Sequence, residues 1–204
     1  HLSRDPRDLQ GLYDCLKGKP MSVDNLLQAA QSSKHGAVPA HLWNPPFCGE
    51  IDMRIARDGT WYYLGTPIGR HSMVQLFSRI IRKDGEEYFL VTPVEKVGIR
   101  VDDAPFVAVD MQIAGKGDTQ TLRFITNVGD EVIASSEHPL RVVIDSVSGG
   151  PAPYILIRNN LEALIHRNLF YRLVELAVTQ SINGEDWLVV WSSGQCFPIG
   201  PLPH

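Results

Sequence analysis

Two short basic clusters carry the most specific chemical hint in this chain. Gly69-Arg70-His71 and His166-Arg167-Asn168 each stand at the entrance of an apolar pattern with helical spacing. The first pattern runs through Met73, Leu76, Phe77, Ile80 and Ile81, the second through Leu169, Phe170, Leu173, Val174 and Ala177. A helix N-terminus is the positive end of its dipole, so an exposed cation there costs about 0.3 to 1 kcal/mol. Something negative should compensate. One solution is an internal carboxylate, Asp52, Glu95, Asp103 or Glu162, forked onto each arginine. The other is a phosphate or carboxylate from outside, held by free helix N–H groups and an arginine, with Trp61 or Phe106 available to stack on it.

The usual catalytic constellations fail one by one. There is no G-x-x-x-x-G-K-[ST] to cradle phosphates and no G-x-S-x-G elbow. Gly115-Lys-Gly117 begins like a dinucleotide fingerprint but has Gln120 where the third glycine belongs, and it lies between strand patterns, so it reads as a hairpin turn. The histidines never fall at H-x-x-x-H spacing and there is no C-x-x-C, so neither a metal nor another cofactor is expected. Asp102 and Asp103 are adjacent in extended chain and point to opposite faces, which suits shaping a strand entry better than acid/base work on one substrate. Cys48, Asp52 and Glu95 are the least unfavourable catalytic candidates. No histidine stands close in sequence to either Cys48 or Cys196, so core packing suits both thiols better than nucleophilic attack. A binding module is preferred to an enzyme.

Composition narrows the class further. The 204 residues are 44% hydrophobic and 21% charged, which excludes a disordered tail, a collagen repeat or a small disulfide scaffold. With 19 Lys and Arg against 23 Asp and Glu, the formal net charge is -4, and general nucleic-acid coating is not expected. Apolar runs such as Pro151 to Ile157 are far shorter than the roughly 18 residues of a membrane span. The three cysteines, Cys15, Cys48 and Cys196, are odd in number and widely spaced, which predicts reduced thiols and a cytoplasmic location.

The elements that must position these residues form an α+β pattern. Helical spacing at Leu9, Leu12, Tyr13 and Leu16, then at Val23, Leu26, Leu27 and Ala30, predicts a helical arm over 1–45 that packs on its own domain or docks a protein partner. An N-terminal α+β domain over 46–102 follows. Its strands are Ile51 to Ile55, Trp61 to Leu64 across the Asp58-Gly59 turn, and Tyr88 to Val91 after a helix stopped by Asp84-Gly85. A C-terminal α+β domain over 103–204 adds strands at Phe106 to Ala114, Thr119 to Thr126, Glu131 to Ala134 and Arg141 to Ile144, with short connections that imply antiparallel pairing. It then repeats the β-β-α-β order: Tyr154 to Arg158, Leu161 to Ile165, a helix, the Asn183-Gly184 stop and Trp187 to Trp191. The repeat makes Arg70 and Arg167 equivalent.

The segments Cys48-Gly-Glu-Ile-Asp-Met53, Asp58-Gly-Thr-Trp61, Gly65-Thr-Pro-Ile68, Thr92-Pro-Val-Glu-Lys96 and Asp102-Asp-Ala-Pro-Phe106 resemble the bacterial family known as domain of unknown function 1285. Thr126-Asn-Val-Gly-Asp130, Leu161-Glu-Ala-Leu164 and Ser193-Gly-Gln-Cys-Phe197 extend the likeness to the C-terminal part. Thr66 and Gln195 depart from it, standing where Ser and a second Gly are expected. The resemblance implies a duplicated α+β architecture whose C-terminal sheet is superficially like a pleckstrin-homology sheet. It also implies a ligand site at the inter-domain junction, a nucleotide-type ligand and a role in signalling. The expectation is a non-catalytic regulatory module for a small anionic ligand, with Arg70, Arg167, Asp52, Glu95, Trp61, Asp103 and Phe106 as candidate binding residues. An enzyme acting on a phosphoester or nucleotide, and a protein-docking adaptor, are the alternatives.

Overall fold

The structure is a computed structural model that describes residues 23–31 and 40–202; the helical stretch expected at Leu9 to Leu16 lies outside the described residues. The chain divides into two units, His1–Asp102 and Asp103–His204.

The first unit is one six-stranded sheet with helices on its apolar face. Its strands are β1 (Phe47–Ile55), β2 (Trp61–Tyr63), β3 (Thr66–Pro67), β4 (Ile81–Asp84), β5 (Glu87–Val91) and β6 (Lys96–Val101), ordered β3-β2-β1-β6-β5-β4. Alternation along β1 turns Met53 and Ile55 inward, both fully buried, and leaves Asp52 and Arg54 toward solvent. Asp58 and Gly59 make the β1–β2 turn, with Gly59 at a φ of 91° and the Asp58 carboxylate accepting the Thr60 N–H at 2.9 Å. Helix α2 (His71–Ser78) is seated on this face by Phe77, whose ring stacks on Trp61 at 6.2 Å. Helix α1 (Val23–Gln31) lies against α2 and buries Leu26 and Ala30 completely. Each large side chain buried in this way contributes about 1.5 to 3 kcal/mol.

The second unit carries two sheets. One holds β7 (Phe106–Ala114), β8 (Thr121–Thr126), β9 (Glu131–Ile133), β10 (Leu140–Ile144), β11 (Pro151–Arg158) and β12 (Leu161–Ile165), ordered β10-β11-β12-β7-β8-β9. Helix α3 (Arg167–Leu176) leads into the other, made of β13 (Val178–Ile182), β14 (Glu185–Ser192) and β15 (Gln195–Pro201). The Gln120 side-chain amide donates to the Trp191 carbonyl at 2.9 Å, one of the bonds that tie the smaller sheet to the larger.

The fold is mostly β with few helices, and its two six-stranded sheets are mixed. Among the described residues two pairings are parallel, β1 with β6 and β12 with β7, and the others are antiparallel. Both units run strand, strand, helix, strand, strand, strand from β1 and from β11, apart from the two-residue β3, which fits a duplicated organisation. The returns differ: β6 closes back onto β1, whereas β15 stays in the smaller sheet. Two turn signals also behave differently from expectation. Asp84-Gly85 and Asn183-Gly184 do not stop helices; they belong to the turns of hairpins β4–β5 and β13–β14. Asn183 and Gly184 have φ values of 51° and 81°, the two positive values that a tight two-residue hairpin loop requires. The helices end earlier, at caps Arg79 and Ala177. No helix among the described residues is long and apolar enough to cross a membrane.

Candidate functional site

Arg70 and Arg167 sit one residue out of step. Arg70 is the N-cap of α2, with φ -88° and ψ 108°, while Arg167 is the first residue of α3 and His166 is its cap. The difference has chemical content. The His166 Nδ1 accepts the Asn168 N–H at 3.2 Å, so the α3 terminus is capped from within. Arginine has no acceptor, and α2 has no side-chain cap. Its first backbone bonds are donated by Met73 and Val74 to the Arg70 carbonyl at 3.1 and 3.3 Å, so the N–H groups of His71 and Ser72 precede the helical ladder. Both arginines are exposed, and neither has an ion pair or side-chain hydrogen bond among the described residues.

Three of the four carboxylates expected to close them are engaged elsewhere, and the fourth, Glu95, is interior. Asp52 pairs with Arg100 at 3.0 Å. Glu162 takes a two-pronged fork from Arg141, with both bonds at 2.8 Å. Asp103 accepts the Tyr154 hydroxyl at 2.7 and 2.9 Å, and Asp102 pairs instead with Arg54, so the two adjacent acids do diverge. Glu95 is only 2% exposed, and its backbone N–H donates to the Thr92 hydroxyl at 3.1 Å in the bend before β6. The aromatics are interior. Trp61, in β2, is buried against Phe77 of α2, and Phe106 is fully buried with the Arg158 guanidinium 5.0 Å above its ring, so neither has a face open to a stacking ligand.

The thiols also differ from expectation. Cys48 is disulfide-bonded; its partner lies outside the described residues, and Cys196 is free. Spatial pairing of distant cysteines leaves no mark on local spacing, which is why sequence reasoning missed it. The disulfide removes the three-reduced-thiols argument from which a cytoplasmic location was expected. Cys196 has its S–H directed to the Gln180 Oε1 at 3.3 Å, and burial pushes its thiol up, away from an activated thiolate.

One depression was not foreseen. It lies on the first unit's outer sheet face, with a volume of about 380 Å³, and Phe47, Glu50, Glu87, Phe89, Gly98 and Arg100 contribute to its lining. Gly98 opens it: a Cβ there would lie 3.0 Å from the Glu50 Cγ. A glycine inside the strand Lys96-Val-Gly-Ile-Arg100 was the signal available in the sequence. Glu86 also lines the depression, so three carboxylates face one guanidinium and the surface is unfavourable to a phosphate. Among the described residues, no cluster of three or more histidine, cysteine or carboxylate side chains is placed to hold a metal ion.

The chain matches the family model described as "Domain of unknown function (DUF1285), N-terminal domain" over residues 38–104, and the model described as "Protein of unknown function (DUF1285), C-terminal domain" over 105–199. No curated protein matches it. Among solved structures it is similar to a DUF1285 family protein from Silicibacter pomeroyi DSS-3, at 54% identity and a TM-score of 0.79, over 87% of this chain and 95% of that one. A DUF1285 family protein from Shewanella baltica OS155 is 28% identical over 60% of this chain and 90% of that one, with a TM-score of 0.47. From the two adjoining family models and the 54% identical relative, we conclude that this chain belongs to the DUF1285 family.

Proposed function

We propose that the protein is a non-catalytic binding module with a regulatory role, and that its ligand is a small anion held at the start of α2. One observation carries this reading: Arg70 is exposed beside the N–H groups of His71 and Ser72, with no side-chain cap and no carboxylate paired to it among the described residues. Free N–H donors, the positive dipole end and a guanidinium together suit a phosphate or carboxylate. Arg167 has the weaker claim, because His166 already caps α3. The C-terminal sheet, expected to be superficially like a pleckstrin-homology sheet, belongs to the same reading as scaffold. The anionic group is better supported than a nucleotide base, since Trp61 and Phe106 are buried. Catalysis is the weaker alternative: Cys48 is bonded, Asp52 is paired with Arg100 and Glu95 is interior.

Calorimetric titration with inorganic phosphate and with adenosine monophosphate tests the reading. The expected result is saturable binding that Arg70→Ala weakens by about tenfold and Arg167→Ala weakens less. Equal heats from phosphate and nucleotide would restrict the ligand to its anionic group. No binding of either probe, or binding indifferent to Arg70→Ala, rejects the proposal.

A further inference from the structure

Sheet edges invite pairing with other chains, and proteins blunt them with short strands, charges and prolines. The edges described here follow that rule with one exception. Strand β3 has two residues and ends in Pro67, and β9 has three residues. Strand β4 carries Arg82, Lys83 and Asp84, β10 carries Arg141, and β15 carries Pro198 and Pro201. Strand β13, Val178-Thr-Gln-Ser-Ile182, has neither charge nor proline, and its first four residues are exposed. Among the described residues it pairs with β14 alone.

The hairpin register identifies which backbone groups are free. The two-residue loop makes Ile182 and Glu185 the closing hydrogen-bonded pair. By alternation, Gln180 with Trp187 and Val178 with Val189 are the next bonded pairs, so the N–H and C=O groups of Thr179 and Ser181 point off the edge.

We infer that β13 is a dimerisation edge, and that its partner is β13 of a second copy of this chain, paired antiparallel about Gln180. The sequence is self-complementary in that register. Val178 faces the second copy's Ile182 and Thr179 faces its Ser181, so apolar meets apolar and hydroxyl meets hydroxyl, while Gln180, whose Oε1 accepts the Cys196 S–H within its own chain, lies on the two-fold axis. The outward groups of Thr179 and Ser181 then exchange hydrogen bonds with Ser181 and Thr179 across a two-fold axis. The two three-stranded sheets become one continuous sheet. No like charges oppose one another at the seam, and no proline interrupts it.

Sedimentation equilibrium of the full chain over rising concentration tests this. The expected result is reversible monomer–dimer association. Thr179→Pro removes an outward donor without touching the β14 ladder, and should weaken the dimer by about tenfold. Gln180→Lys and Gln180→Glu should each favour monomer through like charges at the axis, and an equal mixture of the two should restore dimer. Hydrogen exchange on the wild-type chain supplies a readout free of folding defects: the Thr179 and Ser181 amides should gain protection with concentration. A chain that stays monomeric throughout, a dimer indifferent to these variants, or amides whose protection ignores concentration overturns the inference, including the case where β13 serves an extended segment of another protein.

Discussion

Leu122 and Ser192 are joined across the two sheets of the second unit: the Leu122 N–H donates to the Ser192 Oγ at 2.9 Å, and the Ser192 hydroxyl donates onward to the Ala134 carbonyl at 2.7 Å. All three residues are fully buried. Ser192→Ala therefore strands a buried donor and a buried acceptor together, at about 1 to 3 kcal/mol for each group left without its partner. Urea unfolding should show a lower midpoint with an unchanged slope. An unchanged midpoint would mean that this hydroxyl does not fasten the sheets.

Asp84 predicts the acid limb of stability. The Arg82 guanidinium, bonded to both carboxylate oxygens at 2.9 Å, outweighs the opposing effect of burial and, with Lys96 at 3.2 Å adding a smaller share, holds its carboxyl below the ordinary value. A depressed native pKa means that the unfolded chain binds the proton first. This contribution is present above the ordinary carboxylate range, near pH 4, and is lost as pH falls through the native value. The groups are partly exposed, so Asp84→Asn should cost less than about 1 kcal/mol at neutral pH and should flatten the loss of stability below about pH 4. Unfolding curves with the same pH slope in both proteins would contradict the assignment.

Trp61 separates a core role from a ligand role. Its Nε1 is buried without a hydrogen-bond partner among the described residues, so Trp61→Phe removes an unsatisfied donor along with some packing and should cost less than about 1.5 kcal/mol. Trp61→Ala should cost about 3 to 5 kcal/mol through the cavity beside Phe77. Phosphate affinity of the folded Trp61→Phe protein should equal wild type, and a tenfold loss would return the indole to the site.

Thiol titration distinguishes the disulfide from the reduced state read from sequence. With Cys48 bonded and Cys196 free, denatured unreduced protein should give one reactive group, rising to all three after reduction. Three groups before reduction would overturn the bond.

Local pattern carried much of the fold. The strands at Phe106 to Ala114 and Leu161 to Ile165 coincide with β7 and β12, because turn residues bound each apolar run. Ile81 was absorbed into a helix because its spacing also continues that pattern; only pairing with Leu90 makes it a strand residue. Strand β13 was invisible, since Thr179, Gln180 and Ser181 give no apolar alternation. At the candidate site, the helix entrance at Arg70 was legible from charge and spacing. The loss of Trp61 and Phe106 to the core was not, because aromatic residues beside strands suit packing and stacking equally well. The Gly98 depression needs the pairing of β1 with β6, a long-range relation that no window of sequence contains.

The direct measurement of the central claim is the amide spectrum of the isotope-labelled full chain during titration with inorganic phosphate. Anion binding at the start of α2 predicts saturable shifts concentrated at His71 and Ser72 that are abolished in Arg70→Ala, while Arg167→Ala leaves them in place. Shifts scattered over the surface, confined to other residues, or retained in Arg70→Ala would contradict it.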